Sequence, residues 1–449
     1  MPGGSLKAEG TGVDQPFDTV VRTGYIGGPR QFLERICMKT KICIIGAGPA
    51  GLMAAISSAE AGACTTVIEA NTSPGRKLLM TGAGRCNLTQ RAAPQELVRA
   101  FGARGKFLSY SLYRFSPQDA QDFFARLGLR MKVEEDGCVF SASGRASDVR
   151  DTLVGRARTL GVQFIYGSRV DDVSKEAGSF VVLAAQERIQ ADKLIIATGG
   201  LSWPQTGCTG DGYGFARQLG HTIVETRASL VSLVTAQTWP EQLAGTAVQE
   251  VRLSARINNK KLTTAGAMIF TDDGIGGPAV LDMSWYLTDF LPSNEAPIGI
   301  TLDLVPHVQE AELEAQISER ISANVKKKVA TVLAEFVPKR LSAILCRQGG
   351  CDDELPAGQL KKDVRKRLVR MTKLLPLSIV RTRPIAEATV TRGGVSVNEI
   401  ETKTMESKRC PGLFFAGEVL DIDGPCGGYN LQACWSTGAL AGSCASRSK

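Results

Sequence analysis

Histidine is almost absent from this chain: there are two in 449 residues, His221 and His307. They lie far apart and show neither a nucleophile–base pattern nor metal-ligand spacing, so neither is assigned catalysis and no metal site is expected. Paired cysteines are missing too. The twelve cysteines are scattered without a C-x-x-C pair, and Cys346 and Cys351 are the closest two outside the C-terminal segment. Reduced thiols in a cytoplasmic protein are the expectation. No apolar run approaches the roughly 18 residues of a membrane helix, so no membrane partner is expected. Net charge is +8, modest for this length, which fits simple solubility or an anionic ligand.

What is present is organised around Lys41 to Glu69, KICIIGAGPAGLMAAISSAEAGACTTVIE. Lys41 to Ile45 reads as a buried parallel strand. Gly46, Gly48 and Gly51 follow in the spacing G-x-G-x-x-G: one for a tight turn, one for close approach of a pyrophosphate, one for close packing of a helix. Ala50 to Ala61, directly after Pro49, reads as that helix, with its N-terminus free for phosphate. Thr65 to Ile68 reads as the second strand, ended by Glu69 and Ala70. An acid there suits a ribose hydroxyl and disfavours a 2′-phosphate, so FAD or NAD is expected rather than NADP. Upstream, residues 1–37 are polar and glycine-rich without periodicity, and Met38 reads as a natural start. That segment is expected to be disordered or a non-native extension.

Further along, the glycine-rich TGAGRCN places Gly84, Arg85, Cys86 and Asn87 in a non-regular loop, preceded by Arg76 and Lys77. These basic groups are suited to phosphates or a flavin edge, or else form a solvated loop. Cys86 has no adjacent partner, so packing rather than redox chemistry is expected of it. Ser116 to Leu127 reads as an amphipathic helix with Pro117 near its start, and Ser147 to Leu160 as another with Ser147 as N-cap. Val162–Tyr166, Val170–Val173 and Phe180–Ala184 read as one antiparallel layer. Lys193–Ala197 reads as a strand leading into Thr198 and Gly199. Asp211 is a candidate cap for the helix after TGCTGDGYG.

From His221 to Leu304, short alternating runs suggest a β-rich insert, with Asp272 to Pro278 as a long tight turn. Glu310 to Val380 reads as helical and basic, with Lys326-Lys-Lys328 and Arg365-Lys-Arg367 as examples. It lacks interleaved aromatics, so a solvated face is expected and a nucleic-acid surface is the alternative. A last strand, Gly412 to Glu418, precedes Asp423-Gly-Pro-Cys-Gly-Gly-Tyr-Asn-Leu and a closing helix. That order would supply an acid for a ribityl hydroxyl and a helix N-terminus for the flavin pyrimidine edge.

Taken together, GAGPAG…E, TGAGRCN, ATGG (Ala197 to Gly200), TGCTGDGY (Thr206 to Tyr213), TRGGV (Thr391 to Val395) and FAGEVLDIDGPCGGYNLQAC (Phe415 to Cys434) resemble the BaiN/RdsA-like family of NAD(P)/FAD-dependent oxidoreductases. The resemblance implies an α/β fold: a Rossmann-like FAD-binding domain split in sequence (38–204 and 385–449), an inserted β-rich domain (205–308) and a small basic helical subdomain (309–384). It implies pyrophosphate at Gly46, Gly48 and Gly51, ribose at Glu69, and Lys77, Arg85, Cys86 and Asn87 along the cofactor. Adenine would meet the backbone of Val170, the ribityl chain Gly417 and Glu418, and the isoalloxazine Gly428, Tyr429, Asn430 and Leu431. The insert carries Thr271-Asp272 where the family usually has threonine-histidine. NAD(P)H is the expected transient donor and a small unsaturated molecule the expected substrate. No second Rossmann fingerprint is present, and Tyr213 and Arg85 are the candidate proton donors. A flavoprotein that binds or modifies RNA, and a flavin-binding protein without turnover, are the alternatives.

Overall fold

The computed structural model describes residues 39–291 and 296–447. The expectation for residues 1–37 lies outside them. The first strand, β1 (Lys41–Ile45), is buried after its first residue. It lies at the centre of a five-stranded parallel sheet in the order Leu413–Phe415, Lys193–Ile196, β1, β2 (Cys64–Glu69) and Gln163–Tyr166. Between β1 and β2 runs helix α1 (Pro49–Glu60), with Pro49 in its first turn, where a missing N–H costs nothing. Its Leu52, Met53, Ala54, Ala55 and Ile56 are all buried, because both of its faces are covered. The closing helix of the chain (Tyr429–Ala445) supplies one cover. Its small residues permit the contact: a Cβ on Gly438 would lie 2.4 Å from the Ala50 carbonyl oxygen, and one on Gly442 2.2 Å from that of Ala54.

Several local expectations change in three dimensions. Gln163–Tyr166 pairs in parallel with β2, so it is an edge strand of the main sheet. The antiparallel layer is Val170–Glu176, Ser179–Ala184 and Glu187–Ala191. Ser116 caps the helix Pro117–Arg126, accepting from Asp119 N. Ser147, by contrast, lies inside helix Ala146–Thr159, whose N-cap is Arg145. Asp211 likewise stands in the first turn of Asp211–Gln218 rather than capping it, and pairs with Arg169.

The inserted β-structure is a closed barrel of Leu233–Thr235, Gly274–Gly276, Lys260–Phe270, Ala247–Ile257, Ile298–Asp303 and Leu375–Thr382. Gly274–Gly276, expected within a turn, is one of its strands. A Cβ on Gly274 would lie 2.1 Å from the Leu233 carbonyl oxygen, which is why glycine stands at this crossing. Leu375–Thr382, expected as helix, closes the barrel against Ile298–Asp303 and Leu233–Thr235. The barrel has its own apolar core, including Leu253, Phe270, Ile300 and Leu377. After strand Gly274–Gly276 comes helix α2 (Pro278–Leu287).

A third apolar cluster holds the helical layer together. Leu313, Ile317 and Ile321, one face of Glu310–Ala323, pack with Val332, Leu368 and Val369. The last two belong to α3 (Lys362–Lys373), whose other face is charged. Residues 211–216, by contrast, pack into the core of the main sheet through Tyr213, Phe215 and Ala216. The strand Ile223–Ser229 pairs with Val390–Val395, tying the start of the insert to the returning chain.

Candidate flavin site

The fingerprint turn has the geometry of a ligand cradle. Gly46 has φ of +103°, which favours glycine, and its N–H donates to the Ile68 carbonyl at 2.8 Å. A Cβ on Gly51 would lie 1.9 Å from the Gly46 carbonyl oxygen. Gly48, the N-cap of α1, has nothing within 4 Å of where its Cβ would be. Glycine is therefore required at 46 and 51 by the protein itself. At 48 it leaves open space at a helix N-terminus, the place where backbone N–H groups and the helix dipole meet an anion.

Glu69 is buried at the end of β2. One carboxylate oxygen accepts from Ala47 N at 2.8 Å, the other from Asn71 N at 2.9 Å and Asn71 Nδ2 at 2.7 Å. It braces the turn, and a carboxylate with about four lone-pair sites retains capacity for a hydroxyl. Ala70 beside it is exposed, and Val170 is buried at the start of the antiparallel layer.

Across the site, the Lys77 ammonium meets Glu418 at 2.6 Å and Ser202 Oγ at 2.6 Å. Glu418 also accepts from Ser202 Oγ and Thr391 N, both at 2.9 Å. Burial is the largest single effect and works against both charges, but the partner's charge and the surrounding hydrogen bonds together outweigh it: Glu418 is held below the usual carboxylate range and Lys77 above its ordinary value. Ser202 and Thr391 were not singled out as site residues, although Thr391 lies inside TRGGV. Next to Glu418, Gly417 has φ of +76° and sits where a Cβ would lie 2.6 Å from Ala50 Cβ. The strand Lys193–Ile196 leads through Ala197 to Thr198, whose hydroxyl is buried without a partner, and Gly199, with φ of +75°.

The loop of Gly84, Arg85, Cys86 and Asn87 is fastened from behind by the closing helix, labelled α4 (Tyr429–Ala445). Trp435 Nε1 donates to the Leu88 carbonyl at 2.8 Å and Thr89 Oγ1 to Gln432 at 2.6 Å. Arg85 stands on the rim, paired with Glu134 at 2.8 Å and stacked on Phe140 at 4.1 Å. Cys86 is fully buried, and burial pushes its thiol up to about 12, so it is a packing residue. Asn87, with its amide turned to satisfy both neighbours, accepts from Gly428 N at 3.2 Å.

Gly428 is the N-cap of α4 and adopts φ of +89°. Pro425 to Asn430 are all half-exposed, so this helix N-terminus opens outward. Asn430 cross-braces the loop, accepting from Gly424 N at 2.8 Å and donating to the Gly424 carbonyl at 2.9 Å. Leu431 is buried behind it. The N-termini of α1 and α4, with Glu418 beside the Gly417 that packs against Ala50 of α1 and Cys434 of α4, fit the phosphate and flavin ends of one dinucleotide.

Two expectations need correction. Asp423 has no solvent exposure, and its carboxylate is occupied by Arg392 at 2.9 Å and Ser229 at 2.8 Å. It is the buried counter-ion of Arg392 rather than a ribityl contact. Tyr213 is buried in the main core with its hydroxyl unpartnered, and burial pushes that hydroxyl well above its ordinary value. Neither it nor Arg85 has the setting of a proton donor.

The HI0933-like protein Rossmann domain profile matches residues 40–444. A relative named 3-dehydro-bile acid delta(4,6)-reductase, from Clostridium scindens, is 31% identical over 405 residues, covering 90% of this chain and 98% of that one. Another, named ribosomal RNA dihydrouridine synthase, from Escherichia coli, is 33% identical over 402 residues, covering 88% of this chain and 95% of that one. A solved flavocytochrome c3 fumarate reductase aligns over 94% of this chain and 81% of its own at 16% identity, with a TM-score of 0.49. The chain belongs to the HI0933-like family, FAD-dependent oxidoreductases built on a Rossmann domain.

Proposed function

We propose that this protein is a cytoplasmic reductase that uses NAD(P)H to saturate an unsaturated or carbonyl-conjugated small molecule. When bound, FAD would supply the two-electron redox chemistry. The chain's residues do the rest. Gly46, Gly48, Pro49, Ala50 and Gly51 receive the pyrophosphate, Glu69 the ribose, and Val170 the adenine. Lys77, Thr198, Gly199, Gly417 and Glu418 border the ribityl chain. Asn87, Gly428, Tyr429, Asn430 and Leu431 would border the ring, with the positive end of the α4 dipole available to negative charge there.

The observation that carries this reading is the pair of open helix N-termini, at Gly48 and Gly428, with the Lys77–Glu418 pair next to Gly417, which packs against Ala50 of α1 and Cys434 of α4. The relative named 3-dehydro-bile acid delta(4,6)-reductase supports the substrate class. An anaerobic absorbance titration with NADPH and then NADH tests it. Rapid bleaching of the flavin is expected from at least one, and a flavin that stays oxidised with both removes the nicotinamide donor.

A second reading has its own observation. Lys362, Lys366 and Arg370 stand exposed on α3 at helical spacing, and one relative carries a ribosomal RNA name. An RNA substrate predicts steeply salt-dependent binding through this face. Filter binding that shows no salt-sensitive affinity excludes it.

A further inference from the structure

Asp282 stands on α2, whose Ala279, Val280, Met283 and Leu287 fill the barrel core. Its carboxylate is not in that core. It reaches across to the loop before α4, where one oxygen accepts from Cys426 N at 2.9 Å. Burial first, and then the charge of the neighbouring carboxylate, push the Cys426 thiol well above its ordinary value. Both side chains are half-exposed. Among the described residues no cation pairs with Asp282, and the other titratable groups facing this pair are Cys138 and Tyr429. Cys426 is two positions before Gly428, on the outward-opening face, with Asn87 and Gln90 bordering Gly428 and Gly427 on the other side. The pair thus joins the barrel to the rim of the flavin-ring site, and the two proton-donor candidates of the sequence, Tyr213 and Arg85, lack the setting for that role.

We propose that Cys426 donates the proton that accompanies hydride transfer, and that Asp282 positions its thiol and returns the proton to it. This rests on the reductase reading above. Saturating a conjugated C=C bond adds a hydride to one carbon and a proton to its neighbour. The hydride's electron pair originates on NAD(P)H. The S–H bond of Cys426 breaks, its proton forms the second new C–H bond, and sulfur keeps the S–H electron pair. A proton from water then passes by way of the Asp282 carboxylate to the thiolate. Burial favours the neutral form of both groups, so each holds a proton at higher pH than it would in water.

The test uses FAD-loaded wild type, Asp282→Asn and Cys426→Ser. Iodoacetamide labelling of Cys426, read by peptide mass mapping from neutral to alkaline pH, follows the thiol without turnover. In wild type its midpoint lies above the ordinary thiol value of 9.0. In D282N the midpoint falls by about one unit, and labelling at a fixed pH below it speeds about tenfold. An unchanged profile overturns the proposal. Stopped-flow oxidation by cyclohexenone is then followed with flavin pre-reduced by dithionite, so that no nicotinamide is needed. C426S slows oxidation about a hundredfold and slows reduction far less. Equal oxidation rates in C426S and wild type, or a wild-type flavin that ignores cyclohexenone, overturn the delivery step. If NAD(P)H fails to reduce the flavin while these effects are seen, the nicotinamide donor is wrong and the proton donor stands.

Discussion

Lys77 and Glu418, 341 positions apart in sequence, meet in a 2.6 Å ion pair that joins the segment after β2 to the last strand of the sheet. The pair closes the split domain, because its two halves come from opposite ends of the chain. Ser202 and Thr391 complete it from the intervening segments. Removing the cation leaves a carboxylate with little water around it. Lys77→Met is expected to cost about 3 kcal/mol, the low end for a broken buried pair, since the side chains keep 18% and 16% exposure. Urea unfolding measures the loss, and weaker FAD retention is expected with it.

The same pair sets a pH dependence. Glu418 titrates below its ordinary 4.5 in the folded protein, so the unfolded chain binds the extra proton first. Its contribution is fully present above about pH 4.5 and is lost as pH falls through the lower folded value. Glu418→Gln should therefore show a shallower fall in stability below pH 4.5 than wild type, in matched unfolding series. An identical slope would mean that the pair is not formed.

Gly48 and Gly51 separate folding from binding. A methyl at 51 collides with the Gly46 carbonyl, whereas one at 48 meets nothing in the protein. Gly51→Ala is expected to destabilise the fold by about 1–3 kcal/mol. Gly48→Ala should keep the wild-type apoprotein melting temperature yet bind FAD at least about tenfold more weakly, since its methyl occupies the space left for phosphate. Thermal melts of apoprotein beside flavin titrations distinguish the two.

Asp423 offers a sharper contrast. Arg392, with 5% side-chain exposure, also pairs with Asp289 and stacks on Trp285 of α2, so the buried pair fastens barrel to sheet domain. Asp423→Ala is expected to cost about 3 kcal/mol, the low end for a broken buried pair, because Arg392 keeps only the half-exposed Asp289 as counter-ion. FAD affinity of the folded fraction should stay near wild type. Selective loss of FAD without loss of stability would restore a ribityl role.

Thiol chemistry divides the cysteines by burial. Cys64 is exposed, whereas Cys86 is sealed with its thiol raised to about 12. Labelling of native protein with a thiol reagent should modify Cys64 in minutes and leave Cys86 untouched until denaturant is added. Cys86→Ser should leave flavin reduction unchanged, as expected of a packing residue.

Much of the cradle was legible because it is local. The apolar run of β1, the glycine spacing and the acid of β2 lie within one stretch, and each follows from a turn or a buried strand. The barrel was legible only in part. Leu375–Thr382 follows a basic helix directly, and its alternating Leu375, Leu377 and Ile379 acquire meaning only beside Ile298–Asp303. Gln163–Tyr166 was assigned to the wrong sheet for the same reason: pairing with β2 spans about a hundred residues and leaves no local mark. Asp423 was misread because its partners, Ser229 and Arg392, lie 194 and 31 positions away. Asp282 carries no motif at all. It is a lone acid on an apolar helix until the fold brings it to Cys426.

The central claim is that the two helix N-termini and the Lys77–Glu418 pair hold FAD. The most direct measurement is to release the cofactor from purified protein by heat and identify it by chromatography and mass. The account predicts FAD at about one per chain, directly or after incubation with added FAD. Release of FMN, or a protein that takes up no flavin when FAD is supplied, would contradict it.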